Sequence, residues 1–137
     1  MNPPIRDARP GDEAALTALA ADLGHPTAPP AALDSLGPAE RVLVAEEGRE
    51  VVGFASAAVV PFFHDGSRRL RLTAIAVAPA SRGRGIARAL VAELERWGRQ
   101  RGCNVIEVTS AEHRSDAHAA YRALGFAEAS RRFMRRL

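Results

Sequence analysis

The sequence contains no lysine, and all 19 basic residues are arginine. A Walker-type phosphate loop and any mechanism built on a catalytic lysine are therefore excluded. Cys103 is the single cysteine, which rules out an intrachain disulfide, a zinc finger or a thiol pair and leaves it as a reduced packing residue. Aromatic residues make up 5% of the chain, too few for the stacking platforms of nucleic-acid binders. No uncharged run approaches the ~20 residues that a bilayer span requires. The opening Met1-Asn2-Pro3-Pro4-Ile5-Arg6-Asp7 places two prolines and an acid where a secretory signal needs an apolar stretch. These absences lead to the expectation of a soluble, cytoplasmic protein.

What is present is a chain of 137 residues, 47% of them hydrophobic, the size of one domain over 1–137 with its own core. Its charge is unevenly distributed. Residues 1–67 hold 4 arginines and 10 acids, and residues 68–137 hold 15 arginines and 6 acids. A basic half calls for an anionic partner, whether nucleic acid, a phosphate-bearing cofactor or an acidic surface, unless the arginines are simply solvated.

Periodicity orders the chain as β, α, α, β, β, β, α, β, α, β. Pro10-Gly11-Asp12 leads into an amphipathic helix carrying Leu16, Leu19 and Leu23, with Asp12 as its N-cap and Gly24 as its stop. Gly24-His25-Pro26-Thr27-Ala28-Pro29-Pro30 reads as a helix-to-helix connection. Val42, Val44 and the run from Val51 to Val60 flank a polar turn and predict a hairpin. Leu70 to Val77 predicts a fourth strand. Ile86, Leu90, Leu94 and Trp97 predict a long helix from Gly85 to Arg101, ended by Gly102 and with Trp97 in the core. Val105 to Thr109 predicts a fifth strand, Ala117 to Leu124 a last helix capped by Ser115 or Asp116, and Ala127 to Leu137 a terminal strand. A strand, crossover helix and strand from Leu70 to Thr109 implies a parallel pair.

The stretch Val77-Ala78-Pro79-Ala80-Ser81-Arg82-Gly83-Arg84-Gly85-Ile86-Ala87 joins a buried strand to the N-terminus of that long helix. First-turn amides lack internal acceptors and the helix dipole adds positive character, so such a junction suits an anion. Gly83 and Gly85 allow close approach and positive φ, while Arg82, Arg84 and Arg88 add charged donors. A dinucleotide fingerprint starting at Gly83 would need Gly or Ala at 88, where Arg88 stands. A pyrophosphate fits; a plain surface turn is the alternative that the motif leaves open.

This segment resembles the acyl-CoA-binding signature of the GNAT N-acetyltransferase superfamily, Gln/Arg-x-x-Gly-x-Gly/Ala, met by Arg82, Gly85 and Ala87. Val42-Leu43-Val44-Ala45-Glu46 and Val51-Val52-Gly53-Phe54-Ala55 are similar to the family's second and third strands. Ala117-His118-Ala119-Ala120-Tyr121-Arg122-Ala123-Leu124-Gly125-Phe126 resembles its later Ala-x-x-x-Tyr-x-x-x-Gly-Phe motif, and Ile5 to Asp12 fits its opening. The resemblance implies an α/β fold whose mixed, mostly antiparallel sheet is flanked by helices and has a splayed parallel fourth and fifth strand. It implies acetyl-CoA as cosubstrate, with pantetheine paired to the backbone of Ile75, Ala76 and Val77 and pyrophosphate held by Arg82, Gly83, Arg84, Gly85, Ile86 and Ala87. No metal is implied. The residue matching Tyr121 would hydrogen-bond the cofactor sulfur and protonate the departing thiolate; otherwise it is a buried aromatic satisfied by backbone. A phenol near pKa ~10 giving its proton to a thiolate near ~8.5 is uphill by about 2 kcal/mol.

Two departures stand out. Arg114 occupies the position where many relatives have asparagine, and Thr73 and Ala74 stand where many carry a fourth-strand acid. An alkylamine of pKa ~10.4 must lose a proton at a cost of roughly 4.6 kcal/mol at pH 7, and the candidates for that base are Glu107, Glu112, His113 and His64. The run from Arg114 to His118 with Arg132-Phe133 is similar to a subgroup acetylating aminoalkylphosphonates and aminoglycosides. The expectation is direct acetyl transfer in a ternary complex to the primary amine of a small molecule, without nucleic acid or membrane. A homodimer is open, because a sheet edge in this family often serves dimer contact. The alternatives are an acyl-CoA-binding domain that has lost catalysis and an arginine-rich nucleic-acid-binding module.

Overall fold

The computed structural model describes residues 3–22, 33–109 and 115–137. Along the chain run β1 (Ile5–Asp7), α1 (Glu13–Ala21), a 3-10 turn at Leu33–Ser35, β2 (Glu40–Glu47), β3 (Glu50–Pro61), β4 (Arg68–Val77), a second 3-10 turn at Pro79–Ser81, α2 (Ile86–Gln100), β5 (Val105–Val108) and α3 (Ser115–Ala123). The strands form one sheet in the order β1-β2-β3-β4-β5. It is antiparallel up to β4, and β5 joins parallel to β4. This is the mixed sheet, with its parallel pair, that the resemblance implied.

Alternation along the strands feeds two cores. On one face Leu43, Ala55, Leu70 and Leu72 pack with Ile86, Leu90, Leu94 and Trp97 of α2. On the other, Val44, Phe54 and Ala76 meet Leu16 and Leu19 of α1. α2 presses so closely on β4 that a Cβ on Gly98 would lie 2.9 Å from Leu70 Cδ2, which is why a residue of poor helix propensity stands there. Trp97 is a core residue, with the guanidinium groups of Arg41 and Arg101 set 6.0 and 5.3 Å from its ring centroid. Cys103 packs against the same core and burial pushes its thiol pKa up, so it is a packing residue, away from reactive thiolate chemistry.

The structure corrects several expectations. Residues 127–137 form no strand; Phe133, Met134 and Leu137 are exposed. The paired arginines around Phe133-Met134 repeat every four residues where a half-buried strand needs an alternation of two, so neither face of the segment is apolar. Among the described residues the predicted second helix appears as the 3-10 turn at Leu33–Ser35, followed by Gly37-Pro38, which cannot continue a helix. Its predicted connection and the stop at Gly24 lie outside the described residues. α3 already includes Ser115 and Asp116, which therefore stand in its first turn and not at its N-cap. β5 ends at Val108, one residue early.

Asp12 stands at the N-cap position of α1, yet its carboxylate makes no capping bond. It instead accepts two hydrogen bonds from Arg6, from Nη1 at 2.8 Å and Nη2 at 3.0 Å, and one from the Arg9 backbone N–H at 2.9 Å. Arg6 Nε donates to Glu46 at 2.9 Å, so one guanidinium ties β1, α1 and β2 together. The Arg6 hydrogen bonds hold the Asp12 carboxyl below its ordinary value of 3.8, against the opposing effect of burial. Because the folded pKa lies below the unfolded one, this stabilisation is complete above the ordinary value and disappears as pH falls through the folded value. Asp12→Asn is expected to cost about 1–2 kcal/mol at pH 7. Thermal melts should show the gap between variant and parent closing as pH drops from neutrality to below 3.8; a gap that is constant with pH would refute the assignment.

Candidate active site

β4 has ten residues and β5 has four, and this mismatch makes the site. Their ladder runs from Arg69↔Val105 to Leu72↔Val108 and stops. Beyond Leu72, β4 continues to Val77 with β3 on one side and, among the described residues, no strand on the other. At the point of parting, the β3–β4 register slips, so that Ser56 pairs with Ala74 and Ala57 with Leu72. Thr73 is the extra residue, a β-bulge that reverses which side chains face α2. Leu70 and Leu72 pack on the α2 side before it, and Ile75 and Val77 do so after it. The Thr73 and Ser56 hydroxyls are hydrogen-bonded at 2.7 Å.

Pairing geometry fixes which backbone groups are on offer. The Ala78 N–H donates to Val52 at 2.8 Å, so Ala78 belongs to a hydrogen-bonded pair of the antiparallel ladder. By alternation Ala76 and Ala74 also turn toward β3, and the N–H and C=O groups of Val77 and Ile75 turn toward the open side. Of the three residues expected to present their backbone, Ile75 and Val77 do so and Ala76 does not.

Past Val77, the turn at Pro79–Ser81 delivers the chain to the start of α2. Gly83 and Gly85 adopt φ of 79° and 81°, the left-handed region that side chains with a Cβ rarely enter. Gly85 is the N-cap of α2 and contributes no side-chain cap; its carbonyl accepts the Ala89 N–H at 3.0 Å. The amides of the first turn, at Ile86 and Ala87, therefore have no acceptor within the helix. Three arginines surround them. Arg82 Nε donates to the Val77 carbonyl at 3.0 Å, Arg84 pairs with Glu47 at 3.1 Å, and Arg88 Nη2 donates to the Ala123 carbonyl at 2.9 Å. An extended, amide-bearing chain ending in phosphates fits the open edge and the helix start together.

The Arg88 bond fastens the C-terminal end of α3 to the first turn of α2. Tyr121 lies two residues before that carbonyl, half-buried, with its ring edge-on to Phe126 at 6.0 Å. Leu124 and Phe126 pack into the α2-side core. The N–H of Phe126 donates to the Tyr121 carbonyl at 3.0 Å. The Tyr-x-x-x-Gly-Phe run thus works as a helix end with an anchor, Gly125 turning at φ 96° so that Phe126 folds back onto its own helix.

Two base candidates can be judged. Glu107 is engaged by Arg71 at 2.6 Å and Arg69 at 3.6 Å, a strand-surface ion pair. His64 is exposed in the β3–β4 turn beside Asp65, about 30 Å of strand away from Val77. Glu112 and His113 lie outside the described residues, as does Arg114. On the α1 face a groove of about 660 Å³ opens between Pro10-Gly11, Glu46 and Pro79. Of its carboxylates Asp12, Asp22, Glu46 and Glu50, Asp12 and Glu46 both accept from Arg6.

Sequence reasoning missed three features, namely the Ser56–Thr73 contact at the bulge, the Arg82–Val77 bond and the Arg88–Ala123 bond. The first depends on strand register, the second on the path of the turn and the third on how α3 packs against α2, and residue order spells out none of these.

Residues 13–126 match the model of the acetyltransferase (GNAT) family. An aminoglycoside N(6')-acetyltransferase type 1 of Stenotrophomonas maltophilia is 33% identical over 141 residues, covering 94% of this chain and 89% of that protein. Similar curated sequences vary in length, and the chain spans 41% of one of them, a rat N-acetyltransferase 8F1. Among solved structures, a transcriptional regulator from Bacillus halodurans C-125 superposes with TM-score 0.84 at 26% identity, over 98% of this chain and 99% of the other. AAC(6')-Iy in complex with a bisubstrate analogue, CoA-S-monomethyl-acetylneamine, superposes with TM-score 0.82 at 25% identity over 98% and 97%. With the family's sequence model covering most of the chain and solved structures superposing over nearly all of it, the protein belongs to the acetyltransferase (GNAT) family.

Proposed function

We propose that residues 1–137 form a single catalytic domain that transfers acetyl from acetyl-CoA to a primary amine of a small molecule, directly and within a ternary complex. The observation that carries this reading is the continuity of the open β4 edge beyond Leu72 with the uncapped N-terminus of α2. Bound there, acetyl-CoA supplies an acyl group activated as a thioester. Ile75 and Val77 would hold the pantetheine by backbone hydrogen bonds, as an added strand is held. The backbone of the turn from Arg82 to Ala87 would hold the pyrophosphate with its amides, the helix dipole adding positive character. Tyr121 would hydrogen-bond the sulfur and give it the phenol proton as the thiolate leaves.

Support for a small acceptor comes from the aminoglycoside acetyltransferases among the relatives. Beside α1 the groove carries Asp22 and Glu50 as carboxylates besides the two that Arg6 engages, and these would be the partners there for a cationic amine. The cytoplasm is the proposed compartment. A second copy is the proposed partner for the exposed Phe133 and Met134.

Saturating acetyl-CoA is expected to raise the melting temperature, the stabilisation reaching about 2.7 kcal/mol at a hundred times Kd. A mass-spectrometric screen should then find an acetylated product among aminoglycosides, aminoalkylphosphonates and polyamines, ahead of peptide amines. Stabilisation without any product would favour an acyl-CoA-binding domain without catalysis. No stabilisation, with retention on nucleic acid, would favour a nucleic-acid-binding module.

A further inference from the structure

We infer that the Arg82 side chain is a positioning clasp, whose Nε–H fixes the Val77 carbonyl at the open edge of β4 and so serves coenzyme A through the strand, not as a ligand of its phosphates. The inference rests on the reading of that edge as the pantetheine site. Three observations carry it. First, the bond closes a loop of the chain on itself: Arg82 lies five residues after Val77, and its Nε reaches back 3.0 Å to the Val77 oxygen. The turn between them is tight, with the Ser81 N–H on the Ala78 carbonyl at 2.8 Å, and Arg82 itself is extended at φ −70°, ψ 156°. The side chain of a residue leaving the turn is thereby returned to the strand that entered it.

Second, the carbonyl it holds faces the open side. Ala78 turns its N–H to β3, so by alternation the Val77 carbonyl points away from β3, where β5 no longer runs. A strand end paired on one side only, next to a bulge at Thr73, has little else to keep its outer groups in line. A carbonyl oxygen has two lone pairs. Arg82 takes one and leaves the other for an incoming amide, while Ile75 and Val77 stay at the two-residue spacing that strand addition requires.

Third, the other two arginines of the turn are also committed to protein partners, Arg84 to Glu47 on β2 and Arg88 to the end of α3. Each joins the start of α2 to a different element, and Arg82 joins it to β4. The three together fix the turn against the pieces that surround the cleft.

The test separates the clasp from a phosphate contact by removing the phosphates from the ligand. Arg82→Met keeps the stem and loses the donor; Arg82→Gln keeps an N–H donor and loses the charge. Coenzyme A affinity is measured by calorimetry and pantetheine affinity by NMR titration, on the full chain, with circular dichroism to confirm folding. Arg82→Met is expected to weaken both ligands by a similar factor, about tenfold, as for loss of one well-placed hydrogen bond. Arg82→Gln is expected to return both to within about threefold of the parent, with the salt dependence of coenzyme A binding unchanged. An affinity loss in both variants that is confined to coenzyme A, with a flatter salt dependence, would make Arg82 a phosphate ligand and overturn the inference, as would no loss in Arg82→Met. Should Arg82→Met not fold, Arg82→Gln decides by the same comparison of the two ligands. A parent protein that binds neither ligand would overturn the reading of the site, and the clasp with it.

Discussion

Gly85→Glu is expected to lower acetyl-CoA affinity at least 100-fold while the protein stays folded. Gly85 sits at φ 81° as the N-cap of α2. A residue with a Cβ in that left-handed conformation costs about 1–2 kcal/mol, which a domain of ordinary stability, about 5–15 kcal/mol, survives. Two effects of the carboxylate fall on the ligand. The positive end of the helix draws it toward the first-turn amides that the pyrophosphate would need, so it competes for them from within the chain. It also stands against several phosphate charges, and a single pair of unit charges 4 Å apart at an effective dielectric constant of 20 repels by about 4 kcal/mol. Gly85→Ala shares the strain and lacks the charge, so its loss should stay near tenfold or below. Calorimetry on both variants separates conformation from charge; an unchanged Kd for Gly85→Glu would remove the turn as the phosphate site.

The same turn shows how much of this protein was legible in its residue order. A Gly-x-Gly junction between an apolar strand and an amphipathic helix is a local feature, and the structure places it where the spacing did, with α2 starting at Ile86. The hairpin of β2 and β3 and the α2 face of Ile86, Leu90, Leu94 and Trp97 are local in the same sense. The open edge is different. It exists because β5 pairs only as far as Leu72, a register between segments more than 30 residues apart, and because Thr73 bulges in the register of β3 with β4. Thr73 was visible only as the absence of an acid. Long-range competition also explains the failures. Asp12 has a helix cap within reach and instead takes a bidentate arginine from β1, the stronger interaction for a carboxylate. The segment after Phe126 has one strand-favouring residue, Phe133, and an order that gives a sheet no apolar face, and Arg132 Nη1 reaches the Thr109 hydroxyl at 2.9 Å while the backbone pairs with nothing in β5.

Tyr121→Phe is expected to lower kcat about 100-fold and leave acetyl-CoA affinity within about threefold, with the amine found in the acceptor screen as substrate. The substitution deletes one oxygen and keeps the ring, so the edge-on contact with Phe126 at 6.0 Å and the anchoring of α3 persist. What disappears is the proposed proton donor. General acid catalysis contributes about 10²–10⁴-fold, and the low end applies because a thiol of pKa ~8.5 leaves tolerably without help. The uphill proton transfer, about 2 kcal/mol in water, is eased where positive charge favours phenolate. Steady-state kinetics beside direct binding gives the split between kcat and Kd. A variant as fast as the parent would leave Tyr121 a packing residue and assign the leaving thiolate's proton to solvent, whereas equal losses in rate and affinity would mean that the hydroxyl binds the cofactor without acting as its acid.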